Sequence, residues 1–129
     1  MLLTSTVLCL ALNVFYEARN TSEIDREAVA VVALNRAEKE HRTVCHVISE
    51  PKQFSWTANH RMKVPKLTNV LERRAWKHSL SVAREVLYSK PIQQRFAQVT
   101  YYHAHYVNPI WNRYMRVAFS TPYQTYYRS

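Results

Sequence analysis

Glu17 is the acidic side chain in the least ordinary setting of the chain, since Val14, Phe15, Tyr16 and Ala18 surround it near the end of an otherwise uncharged apolar segment. A carboxyl held among apolar and aromatic groups is stabilised in its neutral form, so its pKa rises toward the range where it donates a proton near neutral pH. That is the environment of a general acid. The structural alternative is an ion pair with Arg19 or Arg36, which would make Glu17 a packing element. His103 and His105 alternate along one strand-like run and could hold zinc together with a carboxylate. No third ligand follows at metal-like spacing, and Cys45 with His46 is too local to complete a site, so no metal or cofactor is expected. The chain contains no Gly, which removes phosphate-cradling loops, dinucleotide fingerprints, calcium loops and nucleophile elbows, all of which need close backbone approach or sharp turns.

The elements that must position Glu17 are legible from periodicity and punctuation. Val7 to Ala18 is apolar on nearly every side, as in a core helix, and Asn20 is its best available left-handed terminator. Ser22 followed by Asp25 reads as a capping arrangement, starting an amphipathic helix from about Glu23 to Glu40. A turn of helix follows at Val44 to Ser49, then a polar stretch to Lys66 that contains Phe54 and Trp56. The longest helix runs from about Thr68 to Ser89, with Pro91 just beyond it. Beyond Phe96 the β-branched and aromatic runs Val99–Tyr102, Arg116–Phe119 and Thr125–Tyr127 predict short strands. At 129 residues the chain has room for one domain spanning 1–129, of α+β class and mostly helical, with a small antiparallel sheet in its C-terminal part and a cleft where the layers meet. Cys9 and Cys45 both lie in apolar surroundings and read first as buried thiols, with a bridge between them as the minority alternative.

Five blocks in one order resemble the SleB-type cell-wall hydrolase family. They are Tyr16-Glu17-Ala18-Arg19, Leu34-Asn35-Arg36, Thr43 to Ile48, Gln53-Phe54-Ser55-Trp56-Thr57 and Tyr102 to Trp111, and Tyr126-Tyr127-Arg128 resembles the family's closing segment. The resemblance implies a peptidoglycan glycosidase of lysozyme-like architecture in which Glu17 is catalytic. It also implies a lytic transglycosylase route that cleaves the MurNAc-GlcNAc bond. The alternative is a hydrolytic muramidase or glucosaminidase at the same site. Hydrolysis normally calls for a second carboxylate about 5–9.5 Å from the acid. Asp25, the only Asp, is committed to a helix start, while Glu23 and Glu27 face solvent. Around the acid, Phe54, Ser55, Trp56, Tyr102, His103, Tyr106, Trp111 and Tyr126 are the candidates for binding sugar rings, through aromatic faces and polar tips. The family often has Gly where Asn20 and Ser89 stand, and a His where Tyr101 stands.

The formal charge of +9 predicts a polyanionic partner. Peptidoglycan strands fit, with non-specific attraction to an anionic membrane through Arg61, Lys63, Lys66, Arg73, Arg74 and Lys77. A small nucleic-acid-binding protein is the rival from another class, and it leaves Glu17 unexplained, so no nucleic acid is expected. The apolar start lacks a basic region and a cleavage site and is short for a membrane span. A monomer resembling a phage lysis enzyme, held in the host bacterial cytoplasm before reaching the wall, is the corresponding expectation.

Overall fold

The computed structural model describes residues 5–50, 56 and 62–129. Helix α1 (Thr6–Ala18) is capped by the Ser5 hydroxyl, and Cys9 to Phe15 are all buried, which explains its uniformly apolar sequence. It stops without a left-handed residue: Arg19 keeps right-handed helical geometry, and both the backbone N–H and the hydroxyl of Thr21 donate to the Ala18 carbonyl, at 3.1 and 2.6 Å. Asn20 therefore does not act as the expected terminator. Among the described residues the positive-φ positions are His41 and Gln98.

Helix α2 (Glu23–Glu40) opens on the expected capping box, in which Ser22 Oγ accepts from the Asp25 N–H and the Asp25 carboxylate accepts from the Ser22 N–H. Its Ala28 to Ala33 run is buried on every side, so the helix sits deeper than its amphipathic pattern predicts. Helix α3 (Val44–Ser49) follows, and a Cys9–Cys45 disulfide ties it to α1. This corrects the expectation of two buried thiols. Apolar surroundings suit a bridge as well as a free thiol, and only the packing of α3 on α1 brings the two sulfurs together.

Helix α4 (Val70–Tyr88) packs along α1 and is capped by the Asn69 side chain. Pro91 does not merely end it: Ser89 caps a new short helix, α5 (Lys90–Arg95), with the proline in its first turn, where a missing N–H is harmless. The sheet comprises β1 (Val99–Ala104), β2 (Arg116–Ser120) and β3 (Gln124–Arg128), antiparallel in the order β1-β3-β2. A 3-10 helix at Ile110–Tyr114, unforeseen in the sequence, connects β1 to β2. The fold is thus α+β and mostly helical, as expected.

Two polar devices lock the layers together. Asn35 on α2 donates from Nδ2 to the carbonyls of Phe96 and Val99, at 3.0 and 2.9 Å, fixing the entry to β1 around left-handed Gln98. Asp25, fully buried, accepts from the Tyr126 hydroxyl at 2.7 Å and from Thr121 Oγ1 at 2.8 Å, so the carboxylate that caps α2 also anchors β3. Hydrogen bonds to a buried charged acceptor contribute about 1.5–3 kcal/mol. Tyr126→Phe is accordingly expected to lower the unfolding free energy by about that amount, read as a lower midpoint in urea with an unchanged slope.

Candidate active site

A cleft of about 660 Å³ opens between the C-terminal end of α1 and the face of β1, within the size range of ligand sites. Glu17 stands in its wall because it is the penultimate residue of α1, one turn beyond Asn13. Its carboxyl is largely withdrawn from solvent, and burial pushes its pKa up to about 7; a hydrogen bond with the Tyr102 hydroxyl partly opposes the rise. Among the described residues no Lys, Arg or His forms an ion pair with it. Both guanidiniums that could have neutralised it are placed on rings: Arg19 lies over Phe15 at 4.5 Å and Arg36 over Tyr101 at 4.4 Å.

Behind the acid runs a buried polar chain. Trp56 Nε1 donates to Asn13 Oδ1 at 2.8 Å, and Asn13 and Glu17 both interact with the Tyr102 hydroxyl. Burial and the neighbouring Glu17 raise the Tyr102 pKa well above its ordinary value, so the phenol stays protonated and serves as a donor. Gln124 Nε2 lies 3.5 Å from the Glu17 carbonyl, joining the helix end to β3.

Four of the candidate sugar-binding residues, Tyr102, His103, Tyr106 and Trp111, line the cleft beside Glu17. Tyr106 is 93% exposed and free to meet a ligand, whereas Trp111 is half-buried, edge-on to Tyr127 at 5.2 Å. His103 has both ring nitrogens engaged, with the Ala104 carbonyl at 2.8 Å and the Tyr127 hydroxyl at 2.7 Å. His105 falls in the turn after β1, so the two histidines do not share a strand face as expected. Cys45, being bridged, has no thiolate to offer a metal, and no group of three potential His, Cys, Asp or Glu ligands occurs among the described residues.

Two candidates do not line the cleft. Tyr126 is fully buried against Asp25 and Phe119, and cannot touch a ligand in the cleft. Trp56, 5% exposed, stacks behind Tyr16 at 4.9 Å and supports the cleft wall instead of forming it. Phe54 and Ser55 lie outside the described residues, as does Arg61, while Lys63, Lys66, Arg73, Arg74 and Lys77 are exposed. The sequence reading missed Tyr16, Arg36 and Tyr101 as cleft residues, and Asn13 as support. For Asn13 a signal existed: it is a polar residue four positions before Glu17 in a helix with no other reason to carry one.

With the chain's nine carboxylate side chains all in described positions, only Glu17 lines this cleft. Asp25 is buried in its cap, Glu23 and Glu27 pair with Arg26 and Arg95, Glu50 pairs with Arg42, and Glu72 accepts from the N–H and hydroxyl of Thr68 ahead of α4. Glu38, Glu40 and Glu85 are exposed on α2 and α4. The arrangement can therefore deliver one proton from one side, onto an oxygen held among aromatic faces.

No helix among the described residues is long and apolar enough to cross a membrane. No curated protein and no solved structure matches the chain. A family model, Cell Wall Hydrolase, matches residues 20–124, starting just past Glu17 and taking in the Asn35 clamp, the stacked Arg36 and the whole cleft-facing strand. With most of its length matched, and the cleft lining other than Tyr16 and Glu17 inside the matched segment, the chain belongs to the SleB-type cell wall hydrolases and is a peptidoglycan-degrading enzyme.

Proposed function

We propose that the enzyme cleaves the MurNAc-GlcNAc bond of peptidoglycan as a lytic transglycosylase, folded as one lysozyme-like domain with Glu17 as its catalytic residue. The observation that carries this reading is the solitary carboxyl: Glu17 is half protonated near neutral pH, lines the cleft, and has no carboxylate facing it. A hydrolase with inverting or retaining stereochemistry uses two carboxyls about 5–9.5 Å apart, one on each side of the bond. The transglycosylase route needs one. Glu17 donates its proton to the glycosidic oxygen as the bond to the anomeric carbon breaks, and the resulting carboxylate then takes the proton of the muramoyl 6-hydroxyl as that oxygen attacks the same carbon. The proton returns to Glu17, the leaving sugar gains a hydroxyl, and no water is consumed.

In this reading Tyr102 holds the Glu17 carboxyl in orientation and steadies the anion formed midway, while Tyr106 and Trp111 pack on pyranose faces and the basic surface draws the enzyme to an anionic wall. Mass spectrometry of purified peptidoglycan digested to completion tests it. Fragments ending in 1,6-anhydromuramic acid are expected. Reducing ends would assign hydrolysis instead, and liberated stem peptides would remove the glycosidase reading altogether.

A further inference from the structure

A second concavity, of about 280 Å³, lies where the α1–α2 junction meets α4, walled by Arg19, Arg26, Arg74, Ala75, His78 and Ser79. Residues 74, 75, 78 and 79 share one side of α4, since side chains three or four apart stack along a helix. The pocket is strongly cationic. Its three arginines meet two carboxylates: Glu23, whose Oε2 already holds Arg26 at 3.1 Å and His78 at 2.9 Å, and Glu72, which interacts electrostatically with Arg19. Arg26 Nη1 donates to the Thr21 carbonyl at 2.8 Å, and Arg19 is stacked on Phe15. Arg74 has neither an ion pair nor a hydrogen bond from its side chain among the described residues.

Two buried donors at this pocket also lack an acceptor among the described residues. Ser79, 1% exposed, leaves its Oγ unpaired, and so does the Nε of Arg26. A serine inside a helix ordinarily returns its hydroxyl to the carbonyl one turn back, and an unpaired buried donor is disfavoured. Excess positive charge beside two unanswered donors is a setting that an oxyanion completes, through short charge-assisted hydrogen bonds.

We propose that this pocket binds a carboxylate of the peptide stems carried by the peptidoglycan strand. The assignment rests on the strand lying in the cleft; Arg19, two residues beyond Glu17, sets the pocket at the same end of α1 as the acid but on another side of it, so a stem reaches it by passing around the helix end. A stem leaving a muramoyl ring near Glu17 carries free carboxylates of its own, whereas the sugar rings of the strand carry none apart from the lactyl group. Holding a stem would set the register in which glycosidic bonds meet the acid, and would favour peptide-bearing strands over bare glycan.

Titration of the isotopically labelled enzyme with N-acetylmuramoyl-L-alanyl-D-glutamate, followed by NMR, tests this without cleaving any bond. Saturable shifts are expected at the amides of Arg74, His78 and Ser79, with affinity falling about fivefold in Arg74→Ala, as suits loss of one exposed charge-assisted contact. The same compound with its glutamate carboxylates converted to amides is expected to leave those signals in place. Arg74 is exposed and Ala favours helix, so the variant retains its fold. Shifts confined to the cleft, or equal binding of the amide form, would overturn the proposal. Tighter binding of inorganic phosphate than of the peptide would also overturn it, assigning the pocket to a phosphate polymer. A digest yielding reducing ends sinks the transglycosylase route alone and leaves the titration result standing.

Discussion

Glu17→Gln is expected to slow peptidoglycan cleavage by about 10²–10⁴-fold, the usual contribution of a positioned acid, while making the protein more stable at alkaline pH. The two effects arise from one cause. The Glu17 pKa stands at about 7 in the folded chain against an ordinary 4.5, because the ionised form is poorly solvated where it sits. Between those values the folded state holds a proton that the unfolded state has released, so the contribution of Glu17 to stability is fully present below pH 4.5 and is lost as pH rises through 7. Over that window the loss is about 3 kcal/mol. Glutamine has no charge to bury and escapes it. At pH 8 the variant is therefore expected to unfold at higher urea than the parent, with the difference vanishing near pH 4. A carboxylate serving as a structural ion-pair partner would behave oppositely, since its removal strands a buried cation. Parallel urea titrations at the two pH values, alongside turnover measurements, separate these cases. Activity of the unmodified enzyme is expected to decline about tenfold per pH unit above 7, as the protonated fraction falls.

Reduction of the Cys9–Cys45 bridge is expected to remove about 4 kcal/mol of stability, the loop-entropy value for a sequence separation of 36. That is a large share of the 5–15 kcal/mol typical of a domain. The bridge joins the first turn of α1 to α3, so α1 would loosen eight residues upstream of Glu17, and turnover should decline in step with stability. The check is chemical denaturation with and without dithiothreitol, together with a Cys9→Ser, Cys45→Ser double variant. An unchanged midpoint in both would show that packing of α3 on α1 suffices alone.

The helices were legible because they are written in local chemistry. Ser22 and Asp25 cap α2 within four residues, and the apolar surround of Glu17 announces its elevated pKa without reference to anything distant. What the sequence left hidden depends on pairs far apart in the chain. Tyr126 reads as one more aromatic among many, and only the return of β3 beneath α2 sets it on Asp25, 101 residues earlier. Trp56 looks like a loop aromatic offered to a ligand, until its indole N–H is found on Asn13. Cys9 and Cys45 carry no mark distinguishing thiol from bridge. Asn20 reads as a terminator because the chain lacks Gly, yet Thr21 closes α1 with its hydroxyl, and among the described residues the left-handed positions fall to His41 and Gln98.

Asp25 has one oxygen, Oδ1, that receives hydroxyls from both Thr121 and Tyr126, so one of the two rivets between the helical floor and the sheet wall closes on a single atom. That rivet is buried behind the gap between Glu17 and β1, in atoms that do not line the cleft. Adaptation to thicker or more heavily modified strands would then fall to the exposed lip around Tyr106 and Val107, where residues can be exchanged without unseating the acid.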